Sequence, residues 1–319
     1  MSRIAVIGAG AWGTALALQA VRAGHTVTLV ARDAASAAAI RSSGQSRRLP
    51  GVPLPSGVAV SDEIPAADLL LWVVPTQQLR ASLARLRAPR CPIVVCAKGV
   101  EVGSNLLPLE ILEAASPGSS MGFLTGPNFA TEVAMGLPTA AVVASADADL
   151  RERVREMLGT QTFRVYGNDD PIGAQLGGAA KNVIAIAAGA VTGAGLGENA
   201  RAALVTRGLS ELRRLAVAVG GRAETVMGLS GLGDLLLTCT GPSSRNFSLG
   251  FALGRGESLD SILAGRSAVT EGVATAAALV SRAGELDLPI CRAVADLLAG
   301  VQTLDQAIEQ LLSRPQRDE

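Results

Sequence analysis

The sequence predicts an α/β chain in two parts, a doubly wound and mostly parallel sheet followed by an all-helical region. Three observations carry this. Short apolar runs alternate with helical stretches over residues 1–170. The first of these runs leads straight into a glycine-rich turn and then a helix. Beyond residue 170 strand-like runs disappear, and Ala- and Leu-rich helical segments punctuated by glycine continue to the C-terminus. A length of 319 residues allows about two domains, each with its own core. With 49% hydrophobic and 18% charged residues, the balance is the opposite of a disordered chain.

Taken in order, RIAVI at 3–7 reads as a buried strand, GAGAWG at 8–13 as a turn, and the stretch to Ala23 as a helix closed by Gly24. TVTLVAR at 26–32 is the second strand. ADLLLWVVPT at 67–76 and PIVVCAK at 92–98 read as strands buried on both faces, with the amphipathic QQLRASLARLR between them. Further βα material follows with MGFLT at 121–125, PTAAVVAS at 138–145 and TFRVY at 162–166. Turn residues concentrate in GNDDP at 167–171, which divides the chain into residues 1–170 and 171–319. A helix is expected from Ile172 through the 180s and another over 198–219, and the tail at 314–319 reads as frayed.

The glycine turn follows a strand and opens a helix inside a βαβ unit, the context of a Rossmann-type dinucleotide site. Gly8 permits the tight turn, Gly10 lets the backbone approach a pyrophosphate, and Gly13 allows close helix–strand packing. The pyrophosphate would rest on free amides at the positive end of the helix. At the end of the second strand an arginine favours the 2′-phosphate of NADP, and an acidic residue favours the 2′-hydroxyl of NAD. Arg32 takes the terminal slot and Asp33 follows, so NADP is favoured while Asp33 keeps NAD open.

Composition excludes other classes. The 28 Lys and Arg balance the 28 Asp and Glu, so no global field draws nucleic acid or anionic lipid, and 3% aromatic residues supply no stacking platform. The uncharged run at 4–21 superficially resembles a secretory signal, but Gly8, Gly10 and Gly13 interrupt it at a meaningful spacing. No other run suggests a membrane span. Cys91, Cys96, Cys239 and Cys291 form no CxxC pair, which fits a reducing cytoplasm. HExxH and His/Cys clusters are absent, so no metal is expected. The chain therefore reads as soluble and cytoplasmic, without nucleic-acid partners or stable membrane insertion; a homodimer is left open.

The single histidine, His25, falls between the first helix and the second strand, at the amino edge of the sheet. Ligands of such sheets gather at the carboxyl edge. His25 thus reads as a surface turn residue, and the acid/base group is sought among Lys, Asp and Glu. Lys98 ends the strand PIVVCAK, where it either faces the nicotinamide or snorkels to solvent. Lys181 stands in GGAAKNVIAIAAG among small apolar neighbours, where burial would lower its pKa toward neutrality. Its alternative is one exposed helix face. Asp234, in GLSGLGDLLLTCT, is a helix N-cap or the partner that orients a buried lysine, two compatible roles. Ser244, Arg245 and Asn246 gather enough donors to clamp a phosphate, though alone they are a polar loop.

Together these segments resemble the NAD(P)-dependent glycerol-3-phosphate dehydrogenases, in particular the bacterial type. The matching stretches are GAGAWGTALA at 8–17, AKG at 97–99, GPNFATE at 126–132, KNVIAIAAG at 181–189, GLGDLLLTCTG at 231–241, SRN at 244–246 and TEG at 270–272. They occur in family order over most of the chain. The resemblance implies reversible reduction of dihydroxyacetone phosphate to sn-glycerol 3-phosphate, which supplies the backbone of membrane phospholipids. It implies Lys181 as the proton-transferring residue and Lys98 as the second active-site lysine. Asp234, Thr238, Ser244, Arg245 and Asn246 match remaining substrate positions, and Gly126, Asn128 and Ala130 match the loop near substrate and nicotinamide. Trp12, Arg32, Val269 and Glu271 match cofactor positions, and Arg245 is placed to touch both ligands. Two departures stand out: Asn128 where relatives often carry Ser or Thr, and Ala11 where Ser is frequent, which leaves only a backbone amide for the cofactor phosphate. Two rival readings remain at this point: a dehydrogenase of another hydroxy acid, and a nucleotide sensor without turnover.

Overall fold

The computed structural model describes residues 1–86, 90–266 and 270–315. Its first part is a single sheet of eight strands in the order β3-β2-β1-β4-β5-β6-β7-β8. The strands are β1 (Arg3–Ile7), β2 (Thr26–Val30), β3 (Val58–Ser61), β4 (Leu69–Trp72), β5 (Ile93–Val95), β6 (Met121–Thr125), β7 (Thr139–Ala144) and β8 (Phe163–Asn168). Every neighbouring pair is parallel except β6 with β7. Around β1 the order reverses, with Ile7 level with Val30 on one side and Trp72 on the other. That switch point at the carboxyl ends opens the crevice in which such sheets bind ligands.

The apolar runs of the sequence become strands because both faces of the sheet are covered. Ile4 and Val6 pack on one face with Leu16, Leu69, Leu71, Leu150 and Val154, so the helices Ala11–Arg22 and Ala148–Leu158 lie there. Ala5 and Ile7 pack on the other face with Leu70, Trp72, Leu79 and Leu112, from the helices Thr76–Arg85 and Pro108–Ala115. The hydrogen-bonded strands are shorter than the apolar runs suggest, β2 ending at Val30 and β5 at Val95. Arg32 and Lys98 accordingly lie beyond the ends of β2 and β5, on crevice loops. β3 was not expected. It is a short edge strand of four residues, VAVS, in which only Val58 is buried, so its apolar run is too brief to stand out.

The strands end at Asn168, and the helix Pro171–Gly193 starts directly after Asp170, whose carboxylate accepts the Gly173 amide at 2.8 Å. This helix is the single described one that is long and apolar enough to cross a membrane; 89% of its apolar window is buried inside the protein, so it serves as a core helix. The helices Gly197–Ala218, Arg245–Gly254, Glu271–Ala283 and Pro289–Leu298 gather around it. Its glycines set the approach: a Cβ on Gly189 would lie 2.0 Å from the Phe247 carbonyl, and one on Gly250 would lie 1.9 Å from the Ile186 carbonyl. The two backbones touch, which explains the glycine punctuation of the sequence. Arg245 and Asn246 are thereby held against the helix that carries Lys181.

Candidate active site

At the β1 turn the three glycines do different work. Gly8 has φ +116°, and a Cβ there would meet the Val73 carbonyl oxygen at 2.6 Å. A Cβ on Gly13 would fall 1.9 Å from the Gly8 carbonyl oxygen, so helix and turn meet without room for a side chain. Gly10 has nothing within 4 Å of its Cβ position. It is the N-cap of the helix Ala11–Arg22 and brings no capping side chain, so the first amides face an open space. These features fit a pyrophosphate. Ala11 and Trp12 begin the helix, and Ala130, first in the helix Ala130–Met135, packs alongside on the same core face. The Trp12 indole N–H is buried and has no hydrogen-bond partner among the described residues.

Past β2 the Arg32 side chain is 83% exposed, and its Nε donates to Asp33 Oδ2 at 2.9 Å. The other Asp33 oxygen accepts the Ser36 amide at 2.7 Å and caps the helix Ala34–Ser43. Both carboxylate oxygens are engaged, and the bonds from Ser36 and then Arg32 hold the Asp33 carboxyl well below the usual carboxylate range.

The centre of the site is a buried carboxylate between two ammonium groups. Asp234 has no exposed surface. Its Oδ2 accepts from Lys98 Nζ at 2.7 Å, and its Oδ1 accepts a short bond from Lys181 Nζ. The N-cap of the helix Asp234–Cys239 is Gly233, so of the two roles expected for Asp234 the lysine partner is the one observed. Lys98 also donates to the Gly126 carbonyl at 3.0 Å. The Lys98 stem lies over Gly178, where a Cβ would sit 3.2 Å from Lys98 Cγ, one turn before Lys181 on the same helix. Burial pushes the Lys181 pKa down to about 8; Asp234 opposes the shift and Lys98 adds to it. An amine poised there can give and regain a proton near neutrality.

Other predicted residues ring this centre. Asn128 donates to Thr139 Oγ1 and to the Ala140 carbonyl, both at 2.8 Å, and among the described residues its buried Oδ1 has no partner. The antiparallel pairing of β6 with β7 sets the end of one beside the start of the other, so Asn128, just past β6, meets Thr139 and Ala140 of β7. The Thr238 hydroxyl bonds back to the Asp234 carbonyl at 2.6 Å. Ser244 caps the helix Arg245–Gly254 by accepting the Phe247 amide at 3.2 Å. Asn246 turns inward: its Nδ2 donates to Asn182 Oδ1 at 2.8 Å and its Oδ1 accepts the Gly272 amide at 3.1 Å. Toward a ligand it therefore offers chiefly its main-chain N–H. Arg245 is exposed. Glu271 accepts the Thr76 amide at 3.3 Å, and burial pushes its carboxyl up to about 7 against that bond and the charges of Arg245, Lys98 and Lys181. These four charged groups thus share one neighbourhood. Val269 lies outside the described residues. His25 is half-buried rather than a surface residue, because its Nδ1 accepts the Ser2 amide at 3.1 Å; it stands at the amino edge, away from the site.

Two residues of this neighbourhood were not singled out from sequence. Asn182 carried the signal that marked Lys181, a polar side chain in an apolar helix. Thr76 carried none, since its main-chain amide makes the contact.

Comparison with known proteins agrees with this geometry. Residues 3–151 match the model of the NAD-dependent glycerol-3-phosphate dehydrogenase N-terminus, and residues 170–309 that of its C-terminus. A glycerol-3-phosphate dehydrogenase [NAD(P)+] of a Bradyrhizobium species is 52% identical, over 98% of this chain and 97% of that protein. One from Acidiphilium cryptum is 53% identical, over 99% and 98%. The crystal structure of glycerol-3-phosphate dehydrogenase from Coxiella burnetii superposes with a TM-score of 0.93 at 36% identity, covering 98% of this chain and 99% of that one. With both halves matched and half of all residues shared with such relatives, this chain belongs to the NAD(P)-dependent glycerol-3-phosphate dehydrogenases.

Proposed function

We propose that this protein reversibly reduces dihydroxyacetone phosphate to sn-glycerol 3-phosphate with NAD(P)H, in the cytoplasm, and so supplies glycerophospholipid synthesis. The observation that carries the reading is the Lys98–Asp234–Lys181 cluster beside the carboxyl edge of a glycine-turn sheet. When bound, the nicotinamide supplies the hydride. Lys181 protonates the oxygen that becomes the hydroxyl, and Asp234 holds its amine in place. The cluster carries one net positive charge, two ammonium groups against one carboxylate, which stabilises an oxygen as it turns anionic. Arg245, the Ser244 hydroxyl and the Asn246 amide fix the phosphate so that the carbonyl meets the ring. The unpartnered Asn128 oxygen accepts a bond from a substrate hydroxyl. Engagement of both Asp33 oxygens favours NADP, because the Arg32 Nη groups, outside its Nε bond to Asp33, can still meet a 2′-phosphate. Residues 1–170 bind the cofactor and residues 171–319 supply the substrate site.

The test is a spectrophotometric assay. NADPH with dihydroxyacetone phosphate should turn over faster than NADH, and unphosphorylated dihydroxyacetone should be a poor substrate. Lys181→Ala should lose roughly 10²–10⁴-fold in turnover while still binding NADPH. Activity within about tenfold of wild type would remove Lys181 from proton transfer. A preference for an unphosphorylated hydroxy acid would favour the rival dehydrogenase reading.

A further inference from the structure

Arg266 stands just before the segment 267–269 and reaches across to the helix Arg245–Gly254. Its Nη1 donates to the Arg245 carbonyl at 2.7 Å and its Nη2 to the Ser248 hydroxyl at 3.1 Å. Both contacts fall on the first turn of that helix, directly behind the Ser244 cap. Among the described residues neither Arg245 nor Arg266 makes an ion pair with a carboxylate. Two guanidinium groups and the positive end of a helix thus converge without a carboxylate in direct contact with either, Glu257 and Glu271 acting only through space.

We propose that Arg266 is a positioning residue for substrate phosphate, anchoring the backbone of Arg245 and adding a second positive charge behind it. The inference rests on the reading of Arg245 as the phosphate contact. Pinning the Arg245 carbonyl fixes its Cα and narrows the volume that its long side chain samples, so less freedom is lost when the phosphate binds. A phosphate dianion also asks for two charges, and one exposed guanidinium supplies one. Burial and the like charge of Arg245 both lower the Arg266 pKa, while Glu257 opposes them at a distance. A bound dianion relieves that repulsion.

The experiment measures kcat and KM for dihydroxyacetone phosphate, kcat/KM for unphosphorylated dihydroxyacetone, and NADPH Kd by fluorescence titration. The variants are Arg266→Met, Arg266→Lys and Arg245→Ala. Arg266→Met should raise the KM for the phosphorylated substrate about tenfold and change kcat by less than about threefold. Dihydroxyacetone kcat/KM and NADPH Kd should stay unchanged. Arg266→Lys keeps the charge without the two-pronged grip and should fall between; it also serves if the Met variant does not fold. A KM within twofold of wild type in both variants overturns the proposal. An equal loss for both ketones makes Arg266 merely structural, and a shift confined to NADPH Kd assigns it to the cofactor; either result also overturns it. If Arg245→Ala leaves the KM for dihydroxyacetone phosphate unchanged, the reading of Arg245 falls, and this inference with it.

Discussion

A proton donor for an alkoxide must be charged before the reaction and able to lose that charge during it, and at Lys181 burial supplies the second condition while Asp234 supplies the first. The pH dependence follows from the value of about 8. Ketone reduction needs the ammonium form, so its kcat/KM should hold level below that pH and fall above it. Alcohol oxidation needs the free amine and should rise through the same pH. Stability has its own sign. The folded pKa lies below the ordinary 10.5, so between about 8 and 10.5 the unfolded chain binds more protons, and this lysine's contribution to stability improves as pH rises through that window. Asp234→Asn would leave the buried Lys181 ammonium and the half-buried Lys98 ammonium facing a neutral amide. It should move the falling limb of the reduction profile to lower pH and cost roughly 3–5 kcal/mol of stability. A falling limb unchanged in Asp234→Asn would show that Asp234 does not set the lysine's proton affinity. The lone charge of Lys181 in its apolar helix was legible in sequence. For Asp234 the lysine-partner role was legible only as one of two, beside a helix cap, because its partners lie 53 and 136 residues away and only the fold shows which role it takes.

At the scale of the element, the β1 turn separates a packing glycine from a ligand-facing one. In Gly13→Ala the methyl would lie 1.9 Å from a carbonyl oxygen, so the helix must move off the strand. The cost should be about 1–3 kcal/mol or somewhat more, seen as a lower melting temperature with or without cofactor. In Gly10→Ala the methyl finds open space, so the melting temperature of the free protein should hold while NADPH Kd rises. Melting curves and NADPH titrations of both variants check this. Equal effects of the two on Kd, with no difference in stability, would contradict the division. Strands buried on both faces could be read from their apolar runs, as in LLLW of β4. β3 could not, since an edge strand needs only one covered face and leaves Ala59 exposed. Nor did any local signal mark the reversal between β6 and β7, which depends on where the chain finds a free sheet edge.

For the whole molecule the division near residue 170 was visible as a change of pattern, but the coupling across it was not. The helix Pro171–Gly193 opens the second part, yet its Ala174 belongs to the apolar cluster of the sheet, and its Gln175 side chain accepts the Leu109 amide at 2.8 Å. Arg282 holds Glu110 through two bonds of 2.8 Å, and Asn105 donates to Ser281 at 2.7 Å. Lys98 with Asp234 and Thr76 with Glu271 carry the seam through the site itself. A two-domain chain ordinarily melts in separable steps. Here neither part can open without exposing apolar surface and unpairing buried charges of the other, so one cooperative transition is expected. The sequence supplies the probes: both tryptophans lie in the first part, Trp72 in β4 and Trp12 in the helix Ala11–Arg22 packed on the sheet, whereas most helix lies beyond residue 170. Tryptophan fluorescence and far-UV circular dichroism should therefore give coincident melting curves. NADPH at 100 times its Kd should shift both together, by about 2.7 kcal/mol of added stability. Midpoints that separate, or a cofactor shift confined to fluorescence, would mean that the two parts unfold independently and that the seam residues position substrate without joining the domains.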